Sequence, residues 1–196
     1  MKNSVLQYEN VFIADTATHV GKNELEGPLK DYFDMYDEDI YFGQKTFEKA
    51  ESELVRRSLN LLFKKTGKKP EDISLLLGGD LLNQCVATSF GVAGTQIPFL
   101  GLYGACSTII EASIVACSFI NGGFVDNAAV VSSSHFCTAE RQYRFPLEYG
   151  SQKTPTSQNT VTGCGTYLLQ NTPTPYRICE AVIGKVVDNG IKDANN

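Results

Sequence analysis

The segment Leu102-Tyr-Gly-Ala-Cys-Ser-Thr-Ile-Ile-Glu111 puts a cysteine where a strand passes through a Gly-Ala turn into a helix. The first N–H groups of a helix lack intrahelical acceptors. That place therefore favours an anion: a thiolate, a developing oxyanion or a bound carboxylate. Cys106, with Ser107 beside it, is thus either a nucleophile or ligand contact, or one of the small buried residues that free cysteines commonly are. Glu111, the lone charge of that helix, reads either as a functional acid or as a core-edge or dimer-contact residue.

A second segment, Ser132-Ser-Ser-His-Phe-Cys-Thr-Ala-Glu-Arg-Gln-Tyr-Arg144, follows a strand, where open α/β sheets carry their ligand sites. His135 there is a base, a donor to an anionic ligand, or a satisfied histidine at a strand end. Arg141 and Arg144, three apart beside Tyr143, suit a planar carboxylate; with Glu140 and Glu148 they suit an ion-pair cluster equally well. Asp80, in GGDLLNQ, is either a helix N-cap or a catalytic acid.

These residues need elements to hold them. Val11–Ala14 (VFIA) reads as a first strand, and residues 21–45 as an acidic, aromatic surface excursion. A helix opens at Thr46 as N-cap, carries Phe47, Ala50, Leu54, Leu61 and Leu62 on one face, and ends at Gly67 before Pro70. Ile73–Leu77 is a strand with apolar residues throughout, GGD at 78–80 a turn, and 83–92 a short helix. Strands at 99–102 and 128–131 flank a helix at 108–120 stopped by Gly122 and Gly123; residues 164–170 and 178–187 read as two more strands. Apolar strands alternating with helices predict an α/β fold with a mixed, mostly parallel sheet covered by helices. Ala112, Ser113, Ala116 and Cys117 are all small, so the helix at 108–120 packs closely on more than one side.

Composition bounds the rest. The chain has 196 residues, 42% hydrophobic and 20% charged, with a net charge of −5. This suits one domain that buries roughly 70% of the surface its unfolded chain exposes. The acidic balance argues against nucleic acid as a partner, which needs clustered Lys and Arg. Of the charged residues, 26 lie in 1–80, only Glu111 and Asp126 in 81–139, and 11 in 140–196. The nearly charge-free middle is a fold interior rather than a membrane span, because Asn83, Gln84, Gln96 and Pro98 interrupt it. The six cysteines form no C-x-x-C pair, which suits reduced thiols in a cytosolic compartment. The two histidines lie far from any ligand-like spacing, so neither metal nor cofactor is expected. The start, MKNSVLQYENVF, lacks a signal-peptide apolar stretch.

The Gly-Ala-Cys-Ser turn resembles the nucleophile turn of the thiolase and ketoacyl-synthase superfamily. More narrowly, GDLLNQ (79–84), IPFLGLYGACST (97–108), SSH-x-x-TAERQYR (133–144), EYGSQK (148–153) and TVTGCG (160–165) resemble the stage V sporulation protein AD family. The resemblance implies a thiolase-like fold, of which residues 1–196 form one βαβαβ-type half of a five-layered αβαβα block, usually dimeric. It places Cys106 at the superfamily's nucleophile position. The histidine and asparagine partners of that cysteine belong to the other half, so a non-catalytic protein is expected.

The resemblance further implies binding of dipicolinic acid (pyridine-2,6-dicarboxylate) and support of its uptake into the developing spore. Other proteins of the same operon would hold the protein peripherally at the spore inner membrane. Cys106, Ser107, His135, Arg141 and Arg144 are the expected ligand contacts, with Lys153 a further source of charge. An assembly role without a ligand, and acyl transfer through Cys106, stand as alternatives.

Overall fold

The computed structural model describes residues 4–143 and 160–190. Arg144, Glu148 and Lys153 lie outside these residues, and Arg141 is described only by its backbone. In chain order the elements are β1 (Val5–Gln7), β2 (Phe12–Gly21), β3 (Met35–Asp37), α1 (Phe47–Thr66), β4 (Leu76–Gly79) and α2 (Val86–Val92). There follow β5 (Phe99–Gly101), α3 (Thr108–Asn121), β6 (Asn127–Ser134), α4 (Phe136–Tyr143), β7 (Gly163–Gln170) and β8 (Glu180–Val182).

Six strands form one sheet in the order β3-β2-β7-β6-β4-β5, in which β7 alone runs against its neighbours. The strands' period of two divides their apolar residues between two cores. Leu76, Ala129, Val131 and Leu168 pack on α1 through Leu54, Val55, Leu59 and Leu62. Leu77, Ala128, Val130 and Leu169 pack on α3 through Ala112, Ala116 and Cys117. Burial on both faces is why these strands carry almost no charge.

Among the described residues the opposite side of α3 has no such cover. Ile110 is 59% and Phe119 37% exposed, and an apolar groove runs between α3 and the separate β1–β8 ribbon. No helix among the described residues is long and apolar enough to cross a membrane.

Capping fixes α1 as its sequence predicts: the Thr46 side chain accepts from the Lys49 N–H, and Gly67 takes the left-handed conformation. Other boundaries shift. β2 is ten residues long because Asp15 to Gly21 alternates between faces, a pattern the short apolar run conceals. Gly78 and Gly79 continue β4 instead of turning. A Cβ on Gly78 would lie 1.8 Å from the Val131 carbonyl oxygen, and one on Gly79 2.1 Å from that of Leu102. Of the strand expected at 178–187, only Glu180–Val182 forms, pairing with β1 outside the main sheet.

The excursion after β2 carries the edge strand β3 and is fastened from two sides. Outside, Arg57 bonds Asp37 at 2.6 Å, while Lys65 bonds Asp34 at 2.8 Å and lies 3.5 Å from Asp15. Inside, the fully buried Phe42 sits between the rings of His19 and His135, at 5.5 and 6.3 Å. Burial, with the Arg57 charge, pushes His19 down to about 4, and burial lowers His135 too.

An unfolded chain takes up a proton on His19 near its ordinary value of 6.5, before the folded one does. Stability from His19 is therefore complete above about pH 6.5 and is lost as pH falls towards 4. Neither ring nitrogen of His19 has a hydrogen-bond partner among the described residues, so leucine sacrifices none of those there. The urea-unfolding difference between His19→Leu and wild type should shift in the variant's favour by roughly 3 kcal/mol between pH 7 and pH 4. A difference that stays constant with pH would refute this.

Candidate functional site

Strand register builds the site. Across β2, β7 and β6, Thr18, Gly165 and Ser132 form one row, and Val20, Gly163 and Ser134 another. Between them His19, Cys164 and Ser133 form the row of opposite parity, turned towards α1. The two outer rows lie on the α3 side of the sheet, beyond the helix's first turn. There they floor a cleft of about 430 Å³, within the usual size of small-molecule sites. Gly165 leaves that floor bare: a Cβ on it would meet nothing within 4 Å. Phe33 from the excursion, Leu81 after β4 and Val161 before β7 supply apolar walls.

Cys106 closes one side of the cleft. It is exposed, in a 3-10 turn (Ala105–Ser107) that runs directly into α3. The turn is tied to itself: Ser107 Oγ donates to Gly104 O at 2.7 Å, Thr108 Oγ1 donates to Ala105 O at 2.9 Å, and Gly104 N donates to Thr108 Oγ1 at 3.0 Å. Ala105 adopts a φ of 48°, which non-glycine residues rarely accept, and this local strain presents the next residue, Cys106, at the cleft. The Glu111 carboxylate lies at the base of the turn, with its Oε2 buried and unpartnered among the described residues. Its place in the first turn of α3 suits the helix dipole.

Three of the other thiols are buried. Burial pushes Cys117 up to about 11 and Cys164 up to about 12, and it raises Cys85, whose sulfur donates to Leu102 O.

Three expected site residues take other places. Ser107 does not reach the cleft, because its hydroxyl closes the turn. His135 shares the parity of Ser133 and is fully buried, its Nε2 donating to Ile40 O at 2.8 Å and its Nδ1 accepting from Cys137 N. Asp80 is not the N-cap residue of either following helix; its buried carboxylate instead reaches across the turn, accepting from Leu82 N, Thr88 N and Thr88 Oγ1. Arg141 belongs to α4, just beyond the Ser132–Ser134 wall.

The cleft wall among the described residues carries hydroxyls, backbone, apolar groups and one exposed thiol, and no charged side chain. Thr18 is engaged by Asp34 and Ser134 by Val161 O, whereas the Ser132 hydroxyl and the Cys106 thiol have no hydrogen-bond partner among the described residues. No group of three metal-ligating side chains occurs among the described residues. Sequence reasoning missed Thr18, Ser132, Gly163 and Gly165. The available signal was Gly-x-Gly inside a strand, which marks close approach on one face.

The model of the family described as Stage V sporulation protein AD matches residues 1–196. A curated relative, Stage V sporulation protein AD of Bacillus subtilis (strain 168), is 42% identical over 183 residues, covering 93% of this chain and 54% of that protein. The chain thus spans about half the length of that relative.

Among solved structures, 3-oxoacyl-(acyl carrier protein) synthase III of Xanthomonas oryzae pv. oryzae aligns with a TM-score of 0.54 at 17% identity, over 84% of this chain and 57% of that one. The enzyme of the same name from Aquifex aeolicus VF5 gives 0.55 at 17%, over 84% and 55%. The priming beta-ketosynthase of the R1128 polyketide pathway gives 0.55 at 12%, over 86% and 52%. At these identities the likeness concerns the fold, which is thiolase-like.

Proposed function

We propose, from the premise that this chain belongs to the stage V sporulation protein AD family, that its cleft binds dipicolinic acid and that the protein supports uptake of this dicarboxylate into the developing spore. The observation that carries the reading is the cleft itself: a glycine-floored slot with the Cys106 thiol and the Ser132 hydroxyl at its sides. A flat aromatic ring fits such a slot, and its two carboxylates need donors in fixed directions. Charge-assisted bonds would come from Arg141 and Arg144, with Lys153 a further cation. Ser107 and His135 act behind the wall, as supports.

We read the protein as a binder rather than an enzyme. A cysteine nucleophile needs a base within hydrogen-bond reach, and neither histidine lines the cleft. Acyl transfer through Cys106 is the second reading, favoured by its exposed place on a strained turn. In the first reading the protein is a homodimer held at the spore inner membrane by other proteins of its operon.

Titration calorimetry tests this. Dipicolinate should bind saturably and benzoate at equal concentration should not. Cys106→Ala should weaken dipicolinate about fivefold, the scale of one hydrogen bond. A folded chain that binds neither acid would defeat the proposal.

A further inference from the structure

On the face of the sheet opposite the cleft, α1 buries a carboxylic acid completely. Glu51 Oε1 lies 3.0 Å from Ser133 Oγ and Oε2 lies 2.8 Å from Thr138 Oγ1, while Thr138 Oγ1 is also 2.9 Å from His135 O. A threonine hydroxyl has one proton and cannot donate to both neighbours. With Glu51 ionised, either its own oxygen or the His135 carbonyl therefore lacks that donor.

A proton on Oε2 resolves the conflict. Oε2–H donates to Thr138 Oγ1, Thr138 donates to His135 O, and Ser133 donates to Oε1. The surrounding charges favour the same form. Asp80 faces Glu51 from the loop after β4 and Glu48 from one turn back on α1, while Cys164, from β7, is a thiol that burial keeps neutral. The α2 helix has no charged residue, and α4 contributes Thr138. Burial first, and the Asp80 charge after it, push Glu51 up to about 7.

Ser133 stands between Ser132 and Ser134, the residues that wall the cleft, so an anion in the cleft lies one sheet layer from Glu51. We propose that Glu51 stores a proton beneath the cleft floor and that an anionic ligand binds together with that proton. For its ligand this rests on the dicarboxylate reading above; for the state of Glu51 it does not. Ionising Glu51 sets a like charge against the ligand and unsettles the Thr138 bonds that join α1 to the start of α4. By linkage, affinity falls as pH rises through the titration of Glu51, and binding at that pH takes up protons from the buffer.

Calorimetry of the chain with dipicolinate from pH 6 to 8.5, in buffers of different ionisation enthalpy, reads both effects. Wild type should lose about tenfold in affinity over that range, the consequence of a coupling near one pKa unit, and should take up a fraction of a proton. Glu51→Gln reproduces the neutral acid, its amide donating to Thr138 and its oxygen accepting from Ser133. It should bind at all pH values within twofold of its own mean.

A readout free of dipicolinate is the ratio of Cys106 alkylation rates by iodoacetate and iodoacetamide on the folded protein, quantified afterwards on the digested peptide that carries Cys106. The ratio cancels the thiolate fraction and should fall about threefold from pH 6 to 8.5 in wild type, a modest like-charge effect, yet stay level in Glu51→Gln. A pH-independent wild-type affinity, or the same pH dependence in the variant, overturns the proposal. If no dipicolinate binds at any pH, the dicarboxylate reading fails and the alkylation ratio decides for Glu51: a level wild-type ratio overturns the stored proton, and a falling one sustains it.

Discussion

Gly165→Val is expected to abolish dipicolinate binding, by at least about a hundredfold, while leaving the protein folded. The new Cβ points into open space over the cleft floor, between Thr18 and Ser132, and itself meets nothing within 4 Å. Valine is also a better strand former than glycine, and the urea midpoint should stay level or rise. The three added carbons then occupy the floor on which the ring would lie, and a rigid sheet cannot retreat from them. Calorimetry and urea unfolding on one preparation separate the two effects. Affinity within threefold of wild type would remove the ligand from this cleft.

The opposite outcome is expected two strands away. In Gly78→Ala the new methyl would stand 1.8 Å from the Val131 carbonyl oxygen, which belongs to the backbone of β6 and cannot rotate aside. Either β4 and β6 part, breaking the parallel ladder at the sheet's centre, or the overlap remains. Overpacking of this kind commonly costs 1–3 kcal/mol; against backbone in a central ladder it should exceed about 4 kcal/mol, a large share of a domain's stability. The variant should accumulate as insoluble protein and, if refolded, show a collapsed urea midpoint. A soluble variant with a wild-type midpoint would mean that the two strands separate far more easily than their register suggests.

How much of this was legible in the sequence depended on whether the signal was local. Thr46, Gly67 and the apolar period between them announce α1 because each acts within a turn of its own position. The apolar runs in β4, β5 and β6 announce strands, and their freedom from charge announces two covering layers. The length of β2 was hidden because its second half owes its strand form to pairing with β7, 147 positions away at Thr18 and Gly165, rather than to its own composition.

The Cys106 turn was legible as a strand-to-helix junction. The cleft floor was not, since Thr18, Ser132 and Gly165 meet only through register. His135 shows the same limit from the other side. Its place at the end of β6 suggested a ligand contact, yet parity puts it with Ser133, towards α1, where Phe42 and Ile40 close over it. Strand position indicates which end of the sheet a residue reaches, and only register and parity indicate which face.

The floor and the rim of the cleft are held by different forces. Sheet backbone makes the floor. The rim at Phe33 depends on its neighbour Asp34, which Lys65 holds at the protein surface together with Asp15. Partly exposed ion pairs weaken as dissolved ions screen them, whereas ladder hydrogen bonds scarcely respond. Ionic strength therefore acts on the entrance of this cleft and spares its base, so a salty medium would alter how fast a ligand enters and leaves more than how well the bound ligand fits.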